Sequence, residues 1–331
     1  MRYCPNPPYR KEVLHMKKLV VFGGGKGLSC LLSGLKLFPV DVTTVISVSD
    51  NGSSTGVLKK ELDIPAVGDV GKVLISMANV DEDFTQLLRY RFSKDGSLHN
   101  HPVRNIMLAA IIDLKGSLTE ATRYMCRLLN VKGTVLPLTE EKVELVGENA
   151  AHEQEFYGQV EVSRNIRSIT RLNYDHNVHV SQEVVTRILD ADLIVFSPGS
   201  LYTSILPHLI VPEVVEAIEK SGAPILYVCN FFTQPGETDH YKVSDHLKVL
   251  NQYLGGRKVD IVLANNGSID PAIMRLYLSK ESKAPVELDR EAIEPLGARI
   301  MEDDLVGLQE GTICHDAVKT AFLIFSYLMG K

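Results

Sequence analysis

A chain of 331 residues, 45% apolar and 23% charged, is long enough for one large α/β domain with a smaller insertion and has ordinary globular composition. Its formal net charge of −6 argues against general nucleic-acid binding, which needs a basic face, but leaves room for a basic pocket in one cleft. Five cysteines (Cys4, Cys30, Cys126, Cys229 and Cys314) lie far apart without a C-x-x-C pair, the pattern of a reduced cytoplasmic protein rather than a disulfide framework or zinc site.

The opening MRYCPNPPYRKEVLH has no apolar core of a signal peptide. Because Met16-Lys17-Lys18 directly precedes a strand, translation is expected to begin at Met16, with 1–15 a misassigned start or a disordered tail. The strand KLVVF (18–22) runs into GGGKG and then a helix, a turn that aims backbone N–H groups at an anion. Gly27 stands where a Walker loop needs Ser or Thr, and Leu28 breaks the G-x-G-x-x-G spacing. A phosphate or nucleotide contact is expected, the alternative being a tight turn that needs glycine only for backbone approach.

TTVISV (43–48) is the next strand and ends in SDNGSSTG. Asp50 comes late for the ribose-binding acid of a dinucleotide fold, and Asn51, Ser53 and Ser54 either line a polar pocket or form a solvated Asx-type turn. In PAVGDVGKVLISMAN (65–79), Asp69 reads first as a helix N-cap, with a carboxylate for a metal or substrate hydroxyl as the alternative. LHNHPVRNIMLAAI (98–111) places His101, Arg104 and Asn105 at a helix start, as a phosphate-facing group or as a polar cap with a surface arginine. His99 and His101 have no acid or cysteine nearby at zinc-ligand spacing.

A helix is expected at about 117–130, then a β-hairpin in GTVLPLTEEKVELVGE and further short β pieces, so 131–180 reads as a small β-rich insertion. Residues 16–130 and 181–331 make the core. DLIVFS (192–197), PILYVCN (224–230) and DIVLANN (260–266) are continuous apolar strands separated by helical sequence, which predicts an α/β, doubly wound, mainly parallel Rossmann-like sheet. Ligands bind outside the carboxyl ends of such strands, where this chain puts GGGKG, SDNGSSTG, SPGS, NFFTQPGE and NNG. SPGSLYTSILPHL (197–209) resembles a second anion cradle and lacks the glycines of a G-x-S-x-G elbow. HDAVKTAFLIFSYLM reads as a buried closing helix, too short to span a membrane.

The order GGGKGLS, SDNGSSTG, GD, HPVRN, SPGSLYTSILP, TQPGETDHY and ANNG resembles the YvcK-like gluconeogenesis factors, relatives of the CofD 2-phospho-L-lactate transferases, from about Lys17 to the C-terminus. The resemblance implies a Rossmann-like sheet with an inserted β subdomain. For the YvcK branch it implies cytoplasmic binding of a nucleotide sugar of the UDP-N-acetylglucosamine type. A role in cell shape and wall metabolism on gluconeogenic carbon, with protein partners in wall synthesis and a second copy of the chain as partners, goes with it. For the CofD branch it implies magnesium-dependent transfer of a phospholactate-type group from a nucleoside diphosphate donor to an acceptor hydroxyl.

By resemblance, Gly23, Gly24, Gly25, Lys26 and Gly27 cradle the diphosphate. Asp50 and Asn51 stand where the family has an acidic pair, so one carboxylate is lost. Asp50 remains the candidate metal ligand, and Asp50 and Asp69 are the candidate catalytic acids. Lys26 replaces a threonine and Arg104 a glycine, both adding positive charge. Ser197, Gly199 and Ser200 with Asn230, Thr233 and Gln234 complete the pocket, and Tyr277 stacks on base or sugar. Cys314 stands where the relatives carry arginine before His315-Asp316. The binding reading requires no cofactor; the transferase reading brings magnesium.

Overall fold

The computed structural model describes residues 16–149, 154–309 and 312–330. The 1–15 segment lies outside them. The centre is a seven-stranded sheet in the order β10-β9-β8-β7-β1-β2-β3, every neighbouring pair parallel. Its strands are β1 (Lys17–Gly23), β2 (Val40–Ile46), β3 (Thr134–Pro137), β7 (Leu193–Phe196), β8 (Ile225–Val228), β9 (Ile261–Asn265) and β10 (Arg299–Asp303). Every residue of β7 and β8 is buried, as expected of continuous apolar strands covered by helices on both faces. Each such side chain contributes about 1.5–3 kcal/mol of burial.

From β1 the chain moves outward to β2 and β3, whereas from β7, on the other side of β1, it moves the opposite way to β8, β9 and β10. The strand order therefore reverses between β1 and β7, and a crevice opens beyond their carboxyl ends. All five strands expected from sequence form. Two differences are informative. Thr134–Pro137, expected as one arm of a hairpin in the insertion, instead pairs in parallel with β2. The separate antiparallel sheet begins only at β4 (Leu145–Asn149), flanked by β5 (Glu155–Tyr157) and β6 (Ile169–Tyr174). A four-residue apolar run cannot announce which distant strand it will pair with, and Pro137 sits at the end of an edge strand, where its missing N–H costs little.

A two-stranded hairpin of β11 (Val306–Gln309) and β12 (Thr312–His315) leads into the closing helix Ala317–Leu328. That helix is less buried than its sequence suggests: Thr320, Ala321 and Ile324 are inside, while Val318 and Phe322 are each 52% exposed. It packs against the helix Gly25–Leu35, and the two approach most closely at Gly34, where a Cβ would run into the Ala317 carbonyl. Among the described residues, no single helix is long and apolar enough to cross a membrane.

Candidate functional site

Four helices start at the crevice: Gly25–Leu35, Ser53–Leu62, Gly68–Met77 and Val103–Lys115. None has a side-chain cap. Helices elsewhere are mixed: Leu118–Leu128 and Gln182–Leu189 are capped by Ser117 and Ser181, whereas Pro212–Ser221 has no side-chain cap either. An uncapped helix start leaves N–H donors and the positive end of the dipole for an anion.

The glycine loop is built for close approach. Gly23 lies against Ser197, whose Oγ would collide with any Cβ there, and a Cβ on Gly27 would run into the Pro198 carbonyl. Gly25 differs: its φ is +69° and a Cβ would meet nothing within 4 Å, so open space faces it. Lys26 is exposed.

Asp69 is not the N-cap that its position suggested. Val67 precedes the helix and Asp69 lies within its first turn, so the carboxylate is free to reach across to β1. Beyond β1, at the start of the helix Gly25–Leu35, it accepts the Gly25 N–H through Oδ2 at 3.1 Å, while Oδ1 accepts from Lys72 Nζ at 2.7 Å. Asp50 forms an Asx-type turn, accepting the Gly52 N–H at 3.0 Å. Burial first, and the nearby Asp69 charge second, hold its pKa above the ordinary carboxylate range. Gly68 lets Asp50 and Thr55 close over it, since a Cβ would lie 2.7 Å from Asp50 Oδ2.

Asn51 is drawn away from the crevice. Its Nδ2 donates to Glu144 at 3.3 Å and its Oδ1 accepts the Val160 N–H at 3.2 Å, tying the loop to the inserted sheet. Ser53 is exposed with φ +44°. Ser54, His101 and Asn105 form a buried cluster, with Ser54 Oγ 2.8 Å from His101 Nδ1 and accepting from Asn105 Nδ2 at 3.2 Å. Arg104 is buried rather than at the surface.

Across the crevice, Asn230 pairs with the backbone of Gly199, accepting its N–H at 2.8 Å and donating to its carbonyl at 2.7 Å. Ser197 is fully buried and donates to the Pro198 carbonyl at 3.2 Å. Ser200 Oγ donates to Glu237, which also accepts the Tyr202 N–H at 2.9 Å. Thr233 exchanges bonds with Ala284, and Gln234 keeps Oε1 buried without a partner. Tyr277 is 7% exposed, stacks on Phe232 at 4.6 Å between centroids and accepts the Ile313 N–H at 2.9 Å; its ring is part of the packing.

Glu237 was visible in the sequence only as one polar residue of a loop; its role as clamp of 200–202 depends on contacts more than thirty residues away. Burial raises its pKa. Because the folded protein holds this proton more tightly than the unfolded chain, the group's contribution is most favourable below the ordinary glutamate pKa. It is lost as pH rises through the folded value. Glu237→Gln, whose amide oxygen can accept the same bonds, should gain stability relative to wild type between pH 4 and pH 8, measured by urea unfolding. A gap that shrinks over that range would refute this.

A cavity of about 350 Å³ opens where β8 and β9 end, lined by Asn230, Phe231, Asn265, Asn266, Gly267 and Arg290 among others. The ANNG motif marked this strand end in the sequence, although its asparagines were not singled out. Among the described residues no group of three His, Cys, Asp or Glu side chains could hold a metal ion. Magnesium, which the transferase reading brings, binds through one or two carboxylates together with substrate phosphates. Asp50 and Asp69, near enough for the Asp69 charge to add to burial in raising the Asp50 pKa, are the carboxylates that would hold it.

Residues 19–306 match the family of 2-phospho-L-lactate transferase CofD. A gluconeogenesis factor of Bacillus subtilis is 39% identical over 312 residues, covering 94% of this chain and 98% of that protein. One from Halalkalibacterium halodurans is 38% identical over 92% of this chain and 94% of that protein. A crystal structure of a Bacillus halodurans protein superposes with a TM-score of 0.89 at 38% identity, covering 94% of this chain and 99% of that one. The glycine cradle at the strand-order reversal is thus set in a framework shared almost end to end with these proteins, and the chain belongs to the CofD family, among the gluconeogenesis factors of the YvcK type.

Proposed function

We propose that this protein is a cytoplasmic nucleotide-sugar-binding regulator of the UDP-N-acetylglucosamine type. It would link cell shape and wall metabolism to growth on gluconeogenic carbon. The observation that carries the reading is a linked set of helix starts beside the open space at Gly25: Asp69 bonds Gly25, Gly68 packs against Asp50 and Thr55, and Ser54 bonds His101 and Asn105. Such a cluster of donors suits a diphosphate. The cavity beyond β8 and β9 is suited to the base, leaving the sugar on the side of Asp50 and Arg104.

Binding without turnover is favoured by the state of the reactive groups. The hydroxyl–imidazole contact Ser54–His101 is buried and Ser54 Oγ also accepts from Asn105, so that oxygen faces inward. Calorimetry with UDP-N-acetylglucosamine, UDP-glucose, GDP and GTP, with and without magnesium, tests the proposal. Saturable heat with the uridine nucleotides, indifferent to magnesium, is expected. Absence of that heat would overturn the reading, and magnesium-dependent GDP binding with phospholactate transfer would replace it by the transferase.

A further inference from the structure

Two thiols meet behind the glycine loop. Cys30 lies in the helix Gly25–Leu35, 5% exposed, and its S–H donates to the His315 carbonyl at 3.0 Å. The residue before that carbonyl is Cys314 on β12, half-buried, its sulfur close enough to hydrogen-bond with that of Cys30. Both are free thiols in the structure. The other two described cysteines have other company, Cys126 with the Val135 backbone and Cys229 with Tyr227.

The contact joins parts of the chain that are far apart: the carbonyl that Cys30 reaches is 285 residues away. The helix Gly25–Leu35 begins at the anion cradle, whereas β12 leads into the closing helix. His315, next to Cys314, stacks on Phe231 at 4.0 Å between centroids and holds Nε2 3.0 Å from the Cys229 carbonyl. Phe231 lines the cavity beyond β8 and β9. A bond between the two sulfurs would tie the cradle helix to the wall of that cavity.

The thiols are unequal. Burial pushes Cys30 up to about 12, and the neighbouring Cys314 adds to the rise. Cys314 is raised by burial too, although the hydrogen bond from Cys30 works the other way. The more open Cys314 is therefore the sulfur that meets an oxidant, and Cys30 the one that resolves it. Scarce thiolate makes the reaction slow at neutral pH. The same lack of a stabilised thiolate means that little holds the pair in its reduced form while oxidant persists.

We propose that Cys30 and Cys314 are an oxidisable pair that takes a small-molecule disulfide as oxidant and closes into an intramolecular bond, fastening the cradle helix to the hairpin. The Cys314 thiolate attacks one sulfur of the oxidant, forming a mixed disulfide and releasing a thiolate that takes up the Cys314 proton. Cys30 gives up its bond to the His315 carbonyl, loses its proton and attacks the Cys314 sulfur. The second thiolate leaves and takes that proton. Two S–H groups of the protein are oxidised to one S–S bond, and the oxidant is reduced to two thiols. The pair operates whatever the crevice binds.

The full chain, equilibrated at pH 8 with a graded series of oxidised and reduced glutathione, is quenched by alkylation and mapped by mass spectrometry. A Cys30–Cys314 crosslinked peptide that reductant reverses is expected, with the oxidised chain melting about 4 °C higher. Cys314→Ser and, independently, Cys30→Ser should each lose both the crosslink and the rise. A glutathione adduct at Cys314 that never resolves would overturn the pair, as would a crosslink through Cys4, Cys126 or Cys229. So would both thiols remaining alkylatable at the most oxidising ratio. A bond that forms without raising the melting temperature would overturn the fastening.

Discussion

Replacing Gly25 by aspartate should abolish nucleotide binding and leave the fold standing. The backbone at Gly25 has φ +69°, which aspartate adopts at a cost of about 1–2 kcal/mol. The new side chain meets nothing, since no atom lies within 4 Å of the Cβ position. A carboxylate in the first turn of the helix Gly25–Leu35 even complements its dipole, recovering about 0.3–1 kcal/mol. What the substitution does is put a negative charge where the proposed diphosphate would enter. A loss of at least about 100-fold in affinity, about 2.7 kcal/mol, is expected by calorimetry with circular dichroism unchanged. Gly25→Asn is the neutral control and should lose clearly less. Equal losses would mean that shape rather than charge matters, and unchanged affinity in Gly25→Asp would place the anion elsewhere.

The second large effect concerns stability. Gly34→Ala raises helix propensity, which alone would add about 1 kcal/mol. Packing decides the other way. The added methyl is aimed at the Ala317 carbonyl and comes within 3.1 Å of Ala321 Cβ, and one of these is backbone that cannot rotate aside. Overpacking of this kind costs about 1–3 kcal/mol and at times more, so a net loss of about 2 kcal/mol is expected. The melting temperature should fall by roughly 3 °C for a chain of this length. A melting temperature at or above wild type would show that the closing helix shifts outward without penalty.

Much of the architecture was legible because buried parallel strands write themselves as apolar runs. KLVVF, TTVISV, DLIVFS, PILYVCN and DIVLANN all became strands of one sheet, and their polar ends became its crevice. The two edge strands were the harder ones. TVLP was expected as β but in a hairpin, and RIMED, which became β10, was not expected, having no fully buried residue. The site was legible as a set of motifs but not as a set of bonds. Asp69 looked like a cap because caps are local, whereas its partner at Gly25 is 44 residues away. Arg104 read as part of a phosphate-facing group or, alternatively, as a surface charge, because nothing in sequence reveals that Gly71 makes room for burying it. Tyr277 invited a stacking role, and one face of its ring is stacked on Phe232.

Asp69 also gives the protein a ligand of its own. Its carboxylate sits on the Gly25 N–H that an arriving phosphate would claim, with Lys72 holding the other oxygen. Any anion entering there must first evict an internal competitor, and on leaving it is replaced at once by the same group. Such an arrangement gives up tightness for rapid exchange, because the vacated donor is never left bare. For the proposed nucleotide-sugar regulator, half-saturation must fall within the range over which the metabolite's level varies. A tethered rival is a direct way to hold it there.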